Sequence, residues 1–435
     1  MSFKKMLVSA AAAAAMTTSV FAAGNNGDAT PIDPDGTGDY LVFPTYWAKA
    51  TGNWATNLKV VNTNTTHAIV AKVVVREYAT SQEDLDFFIY LTPGDVWEGK
   101  LYSDGGFAKL YSDDDSIFKG DVPASTTNPV DQILFDNGPK GNEYGYVEVY
   151  GVAQIPANLV TILPGHTAWA GAGTPLDKQS LYQDYTTNVH GQGANAGAAH
   201  GWMAVDNNSI FGQQVISSDA QGSEKSMTMM ATAFTNVTGP VSNGIVIKAA
   251  ATNITNATTR TDYIPLIQAV ESELEKTNVY VTYYNSDTAN TVLQLTQPMK
   301  KYHLENLATP VPYWFYDAGQ DTGTPTTQAS ALLNPDRYLA FGFEYGVTTR
   351  DQEENSHVST NDFSGGAQVH YKCYTEICYF TPLASHNPGG YDKGYFDYDL
   401  TGTYANGEAV IPTIMTAVKI NGTPITNIIY APYSK

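Results

Sequence analysis

A chain of 435 residues with 43 acidic and 23 basic side chains carries a formal charge of -20, and 43% of it is apolar. Phosphate would repel such a surface, which argues against nucleic acid as a partner, and the apolar content excludes a wholly disordered chain. Charged residues make up only 15%, so surface polarity must come from Asn, Thr, Ser, Gly and Tyr, a mixture suited to strands and turns.

Residues 1–22 read as a secretion signal. Lys4 and Lys5 give the positive start, Met6 to Met16 an alanine-rich apolar run, and Val20-Phe21-Ala22 before Ala23 a small-residue cleavage site. The run is shorter than the ~20 apolar residues that cross a bilayer, and no Cys follows to carry a lipid. Cleavage removes two lysines and no acid, moving the formal charge from -20 to -22. The expected mature protein is secreted and soluble, at the cell surface or outside it with the periplasm as the other destination, and has no transmembrane segment.

Residues 23–39, rich in Gly, Asn, Asp and Pro, read as a flexible N-terminal arm. Order is expected from Tyr40. Thr56 to Val61 and Ala68 to Glu77 flank a polar Asn62–Thr66 turn and predict a hairpin, with Ile69, Ala71, Val73 and Val75 on one face. Leu85, Phe87, Ile89 and Leu91 alternate likewise. Thr92-Pro93-Gly94-Asp95 then has Pro and Gly where a type II turn wants them, and a strand follows to Tyr102.

Tyr144 to Val152 sets Val147 and Val149 against Tyr146, Glu148 and Tyr150. Around it, 103–142 and 156–225 lose periodicity, and loops that long suggest a binding surface. Strands are expected at Met227–Val237 and Gly244–Ile254, then a helix opened by Pro265 with Leu266, Ile267, Val270 and Leu274 as its apolar stripe and Lys276 at its end. Val279–Tyr284 and Thr291–Gln297 form a second hairpin around Asn285–Thr288. A short helix is expected before Pro335 and a strand at Tyr338–Tyr345. Ala409–Ile420, Asn421-Gly422 and Ile425–Tyr430 spell a third hairpin with the dipeptide that a type I′ turn prefers.

Cys373 and Cys378 are the only cysteines, and in an exported chain they are expected to pair. Straight strand would hold them ~17 Å apart, beyond the ~6 Å a disulfide tolerates. The chain must therefore turn at Tyr374–Ile377, which predicts a stapled hairpin with Tyr371 facing Phe380; closing so short a loop contributes roughly 2 kcal/mol.

Two oxygen-rich clusters are weak calcium candidates: Asp33, Asp35 and Asp39 around Gly36, and Asp113 and Asp115 in Ser112–Ser116. The first lacks the acidic closer of an EF-hand, whose place falls at Pro44; the plainer alternative for both is a solvated acidic turn. His166, His190 and His200 have no metal-ligand spacing. No nucleophile elbow, phosphate loop, dinucleotide fingerprint or haem motif is present. Acidic groups at Glu83, Asp84 and Asp86 and at Glu353 and Glu354 leave a glycosidase pair open, because sequence spacing does not show the gap across a cleft.

Several segments carry a resemblance. They are Gly38-Asp39-Tyr40-Leu41-Val42-Phe43-Pro44, the stretch Val73 to Glu98 with Leu91-Thr92-Pro93-Gly94-Asp95-Val96-Trp97, Gly145-Tyr146-Val147-Glu148-Val149, Leu274-Glu275-Lys276, Leu295-Thr296-Gln297-Pro298-Met299-Lys300 and Arg350-Asp351-Gln352-Glu353-Glu354. In this order the chain resembles a group of exported, largely uncharacterised cell-surface proteins of Gram-negative sulfur- and metal-metabolising anaerobes. Those relatives tend to have Thr-Lys where this chain has Met299-Lys300. The resemblance implies a surface or envelope location and supplies no site residues.

The expected fold is mainly β: antiparallel β-sandwiches with long loops and one or two short helices, a sandwich-rich region over 40–300 and a C-terminal β-rich region over 301–435 with the disulfide hairpin. The expected function is non-enzymatic: a subunit of a surface layer, filament or matrix, or an adhesin-like component, partnered by itself or by other surface components. The alternative is a secreted carbohydrate-binding or carbohydrate-active protein that meets polysaccharide through loop aromatics such as Trp47, Trp54 or Trp202 and paired carboxylates. An outer-membrane barrel fits less well because the irregular stretches are so long.

Overall fold

The computed structural model describes residues 32–118, 131–133, 143–235, 270–298, 343–358, 370–380, 393–401 and 408–429, apart from short gaps within these ranges. The signal peptide, most of the arm, the strand expected at Gly244–Ile254, the start of the helix at Pro265 and the helix before Pro335 lie outside the described residues.

The first half contains β1 (Thr37–Gly38), β2 (Tyr40–Trp47), β3 (Trp54–Asn62), β4 (His67–Glu77), β5 (Glu83–Leu91), β6 (Val96–Asp104), β7 (Phe107–Tyr111), β8 (Asp131–Ile133) and β9 (Tyr144–Pro156). Helices α1 (Lys178–Asn188) and α2 (Ala196–Ala199) follow, then β10 (Ile210–Ser218), β11 (Lys225–Met230) and β12 (Thr232–Phe234). These strands make two antiparallel sheets. A five-stranded sheet runs β12-β2-β9-β4-β5, and a seven-stranded sheet runs β1-β10-β3-β6-β7-β8 with β11 added to β10. Between them Leu41, Phe43, Val73, Phe87, Ile89 and Val149 pack on Leu58, Val60, Trp97 and Leu101. The mainly β, sandwich-like architecture is as expected.

One connection differs from its sequence reading. The strands β3 and β4, expected as hairpin partners, lie in opposite sheets, as do β5 and β6. The cause is local. Asn62 is fully buried, and its amide donates to the carbonyls of His67 and Thr92, each at 2.9 Å. Its Oδ1 accepts from Asn64 N at 3.0 Å. Asn62 N donates to Asp95 O, and Gly94 N to Asn64 O, so two arches cross the sandwich side by side and bond to each other. The Thr92–Asp95 turn itself forms as expected, with Gly94 at φ 73° and Asp95 N donating to Thr92 O.

The stretch 157–209, expected to be irregular, covers the outer face of the five-stranded sheet. Leu176, Leu181, Tyr185 and Trp202 pack there on Tyr40, Val70, Val74, Phe88, Tyr90 and Tyr150. Consequently β4 and β9 are buried along nearly their whole length on both faces. The same stretch runs into β10, a strand sequence reasoning missed because its buried alternate positions include Gly212, Gln214 and Ser218 beside Ile210 and Ile216.

The second half contains β13 (Glu275–Lys276), β14 (Asn278–Ser286), β15 (Ala289–Thr296), β16 (Phe343–Asp351), β17 (Ser356–Val358), β18 (His370–Cys373), β19 (Ile377–Phe380), β20 (Lys393–Asp399), β21 (Glu408–Ala409), β22 (Ile411–Ile420) and β23 (Thr423–Ile429). Nine of these strands form one sheet, β17-β16-β20-β14-β15-β22-β23, with β18 on β16 and β19 on β15; β13 pairs β21. Val281, Leu295, Val347, Phe396, Tyr398 and Val410 build its own core. Strands β14 and β15 pair as expected, with Asn285 and Ser286 inside the pairing opposite Asn290 and Ala289, and β22 pairs with β23, Ile420 opposite Thr423. Both β14 and β15 precede residue 300 in the sequence, yet their partners are C-terminal strands. The hairpin expected between the cysteines is corrected: β18 pairs with β16 and β19 with β15, so neither strand is the other's partner.

The halves meet in a mixed seam. Val270, Leu274, Ile377 and Ile411 join the apolar layer over the five-stranded sheet, and Met415 packs with Ile216 and Met227. Ile377 N donates to Tyr78 O at 3.0 Å.

Candidate functional site

The chemistry-bearing residues gather on the covered face of the five-stranded sheet. Val74 lies opposite Asp86 of β5 and Glu148 of β9. Lys72 and Arg76, two residues to either side of Val74, share its face. Two basic and two acidic groups therefore surround one valine as diagonal cross-strand neighbours. Lys72 Nζ meets Asp86 Oδ2 at 2.5 Å, and Arg76 Nε pairs with Glu148 Oε2. The Tyr40 hydroxyl donates to Glu148 Oε1 at 2.7 Å, and Arg76 Nη1 donates to Ser81 O at 3.1 Å. Ser81 Oγ is 2.5 Å from the Tyr146 hydroxyl. The Glu148 side chain is 0% exposed and that of Arg76 5%. Nearby, burial first and then the charges of Asp84 and Glu77 push the Tyr46 phenol well above its ordinary range, so it stays neutral.

The cover is tied down by a second set of carboxylates. Asp184 of α1 accepts from Thr161 N at 2.6 Å, Asn188 Nδ2 at 2.8 Å and Trp202 Nε1 at 3.0 Å. Asp177 caps α1 by accepting from Ser180 N at 2.8 Å, and His166 Nδ1 reaches the same carboxylate at 2.9 Å. Burial acts to raise the Asp177 pKa, but the Ser180 bonds and His166 outweigh it and hold the carboxyl below its usual value.

Lys178 joins the cover to the sandwich. Its ammonium lies 2.5 Å from Asp115 Oδ1, 3.0 Å from Asp95 Oδ2 and 3.3 Å from Asp114 Oδ1, with Ser116 Oγ at 2.9 Å. Burial would lower its pKa, but the hydrogen bonds it donates to Asp115 and Asp95 and the charge of Asp114 carry it above the ordinary lysine value. The centre of the second calcium candidate is thus an amine of the chain itself. Asp113 is exposed, and Asp115 is spent on Lys178.

In the first calcium candidate, Asp33 Oδ1 accepts from Asp35 N at 2.7 Å and Oδ2 contacts Thr37 Oγ1 at 3.4 Å, which makes a turn. Asp39 is buried and its backbone is tied to Phe234 and Gly151. Among the described residues, no three His, Cys, Asp or Glu side chains are arranged to hold a metal ion. Of the carboxylates considered for a glycosidase, Asp86 is paired to Lys72 and Asp84 is buried near Tyr46, while the side chain of Glu83 and residues Glu353 and Glu354 lie outside what is described. His190 also lies outside them, and His200 is exposed.

The aromatics follow the same pattern. Trp202 is 2% exposed and holds Asp184. Trp47 and Trp54 meet edge to face at 4.8 Å and pack against the Ile216–Met227–Met415 cluster, with Lys49 over the Trp47 ring.

Sequence reasoning missed Lys178 and α1. A signal was available in Asp177 as a cap followed by Leu181 and Tyr185 four residues apart. No known protein family matches the chain, and no curated protein or solved structure does.

Replacing Glu148 by Gln should cost about 3 to 5 kcal/mol in a urea titration, because Arg76 is left buried without its counter-charge. The double change Arg76→Met with Glu148→Leu should recover much of that loss; equal loss in both variants would refute the account. Replacing Lys178 by Gln should make residues 160–200 easier to cleave by protease at neutral pH while the far-ultraviolet dichroism stays that of the parent. The Lys178 pKa is raised on folding, so its contribution is complete below the ordinary lysine value and disappears as pH rises through the higher folded value. The difference between parent and variant should accordingly hold through neutral pH and shrink only in strong alkali.

Proposed function

We propose that the protein is a non-enzymatic structural component of the cell exterior, exported by the signal at residues 1–22 and working as a subunit of a surface layer, filament or matrix. One observation carries this. Among the groups that suggested chemistry in the sequence, Asp86, Asp115 and Trp202 are engaged in holding the fold together, in the pair with Lys72, the Lys178 cluster and the contact with Asp184. Long loops folded down as a packed cover suit a durable building block better than a mobile binding surface. The resemblance to exported cell-surface proteins points the same way. The sugar-binding alternative gains nothing from Trp202, whose ring is closed off.

The same reading includes a Cys373–Cys378 bond, supported by the short interval between β18 and β19 and by the lack of a free cysteine among the described residues. A bond between strands with different partners would join two parts of the nine-stranded sheet, a larger role than stapling a hairpin.

Purified mature protein should form concentration-dependent oligomers in light scattering, and regular assemblies in negative stain, with or without calcium. A strict monomer at high concentration under both conditions would sink the assembly reading. In the same preparation, reduction should raise the intact mass by two hydrogens; an unchanged mass would remove the disulfide.

A further inference from the structure

We propose that the seam between the two halves binds internal water, held by Thr45, Gln214, Gln294 and Thr413. The site begins with a defect in β2. A bulge at residues 44–45 interrupts its pairing with β9, and β12 reaches along its other edge only as far as Val42, opposite Thr232. Side chains serve the carbonyls that follow. Gln294 Nε2 and Thr296 Oγ1, both from β15, donate to Pro44 O at 3.0 and 2.6 Å, and Gln214 Nε2 from β10 donates to Thr45 O at 2.9 Å. Thr413 of β22 stands opposite Gln294. Two sheets thus send neutral polar side chains to one short piece of β2, a strand of the third.

The amides that give their N–H groups to these carbonyls keep their oxygens. Gln214 Oε1, Gln294 Oε1, Thr45 Oγ1 and Thr413 Oγ1 are all buried without a hydrogen-bond partner, on residues that are 0% exposed. Unmet polar atoms buried together are the usual setting of ordered internal water. The inventory decides which guest suits them. Two amide oxygens can only accept, and two hydroxyls can each donate. A water molecule offers two donors and two acceptors, so one water, or two linked, completes the set. A hard cation would instead want six or more oxygens, would gain no carboxylate from these four residues, and would leave both hydroxyl protons without acceptors. The joint between the halves is therefore wet and polar at this point, beside the dry contact of Met415 with Ile216 and Met227.

A crystal structure of the full mature chain, at a resolution that places solvent, should show a peak about 2.7 to 3.2 Å from both amide oxygens. Thr413→Val should weaken that peak while keeping the bonds from Gln294 and Thr296 to Pro44. Direct Thr–Gln hydrogen bonds with no solvent peak would overturn the proposal. So would a peak about 2.3 to 2.6 Å from six or more oxygens, which would mark a cation. The thermal midpoint in sodium, potassium and choline chloride at equal ionic strength gives a second measure: equal midpoints are expected, and a shift specific to one metal cation would count against water.

Discussion

Burial of the five-stranded sheet on both faces is the constraint from which the rest of the structure follows. A sheet with one wet face can carry Lys, Arg, Asp and Glu on that face at no cost, but β4 and β9 have no wet face. Their charges must then be neutralised where they stand, since an unpaired ion in such a place costs several kcal/mol. Register supplies the solution. With Asp86 and Glu148 level with Val74, and Lys72 and Arg76 one pleat above and below, each base has an acid on a neighbouring strand. A slip of β4 by one residue would turn Lys72 and Arg76 into the aliphatic core between the sheets and bring Val73 and Val75 out of it. The buried charges thus help fix the strand alignment, the role best attested for such groups.

That arrangement requires a lid, which is why the long stretch after β9 is not a free loop. Its backbone has only short helices with which to satisfy itself, so side chains supply much of the rest: Asp184 holds Thr161 and Trp202, Asp177 holds Ser180 and His166, and Lys178 reaches across to Asp95 in the arch that follows β5. The acidic excess of the composition has a structural use here. An ammonium gathered by three carboxylates can be supplied by the chain in any medium, whereas a bound calcium depends on the calcium outside.

How much of this was legible depended on distance along the chain. Alternation at Leu85 to Leu91 and at Val147 to Tyr150 identified strands and their two faces, and Pro93-Gly94 identified a turn, because those signals are local. Sheet membership was not local. Whether the strand after Asn62 returns beside its predecessor or crosses to the other sheet depends on the carbonyls of His67 and Thr92, which become neighbours only when the second arch has formed. The role of Glu148 was hidden for a related reason. On a strand that alternates Val with Glu and Tyr, the ordinary expectation is a solvated polar face, and only the cover from a segment with no strand periodicity changes it. Among the site residues, Asp115 lies in an oxygen-rich cluster as the sequence shows, but its partner is Lys178, more than sixty residues away and in a stretch without periodicity.

The two halves illustrate how edges are closed when the sheets themselves do not close. Each half has its own core, yet β2 runs past the end of β12 and presents carbonyls at its bulge that another strand would be free to pair with. The second half blocks that edge with side chains, not with a strand: Gln294 and Thr296 donate where backbone N–H groups would have donated. Such a cap stops edge-to-edge growth at that place without committing the halves to one continuous sheet. If the protein assembles, its contacts are then expected elsewhere than along β2, at strands whose outer edges no other part of the chain covers. The seam makes the monomer complete, and any polymer has to be built from the surfaces left over.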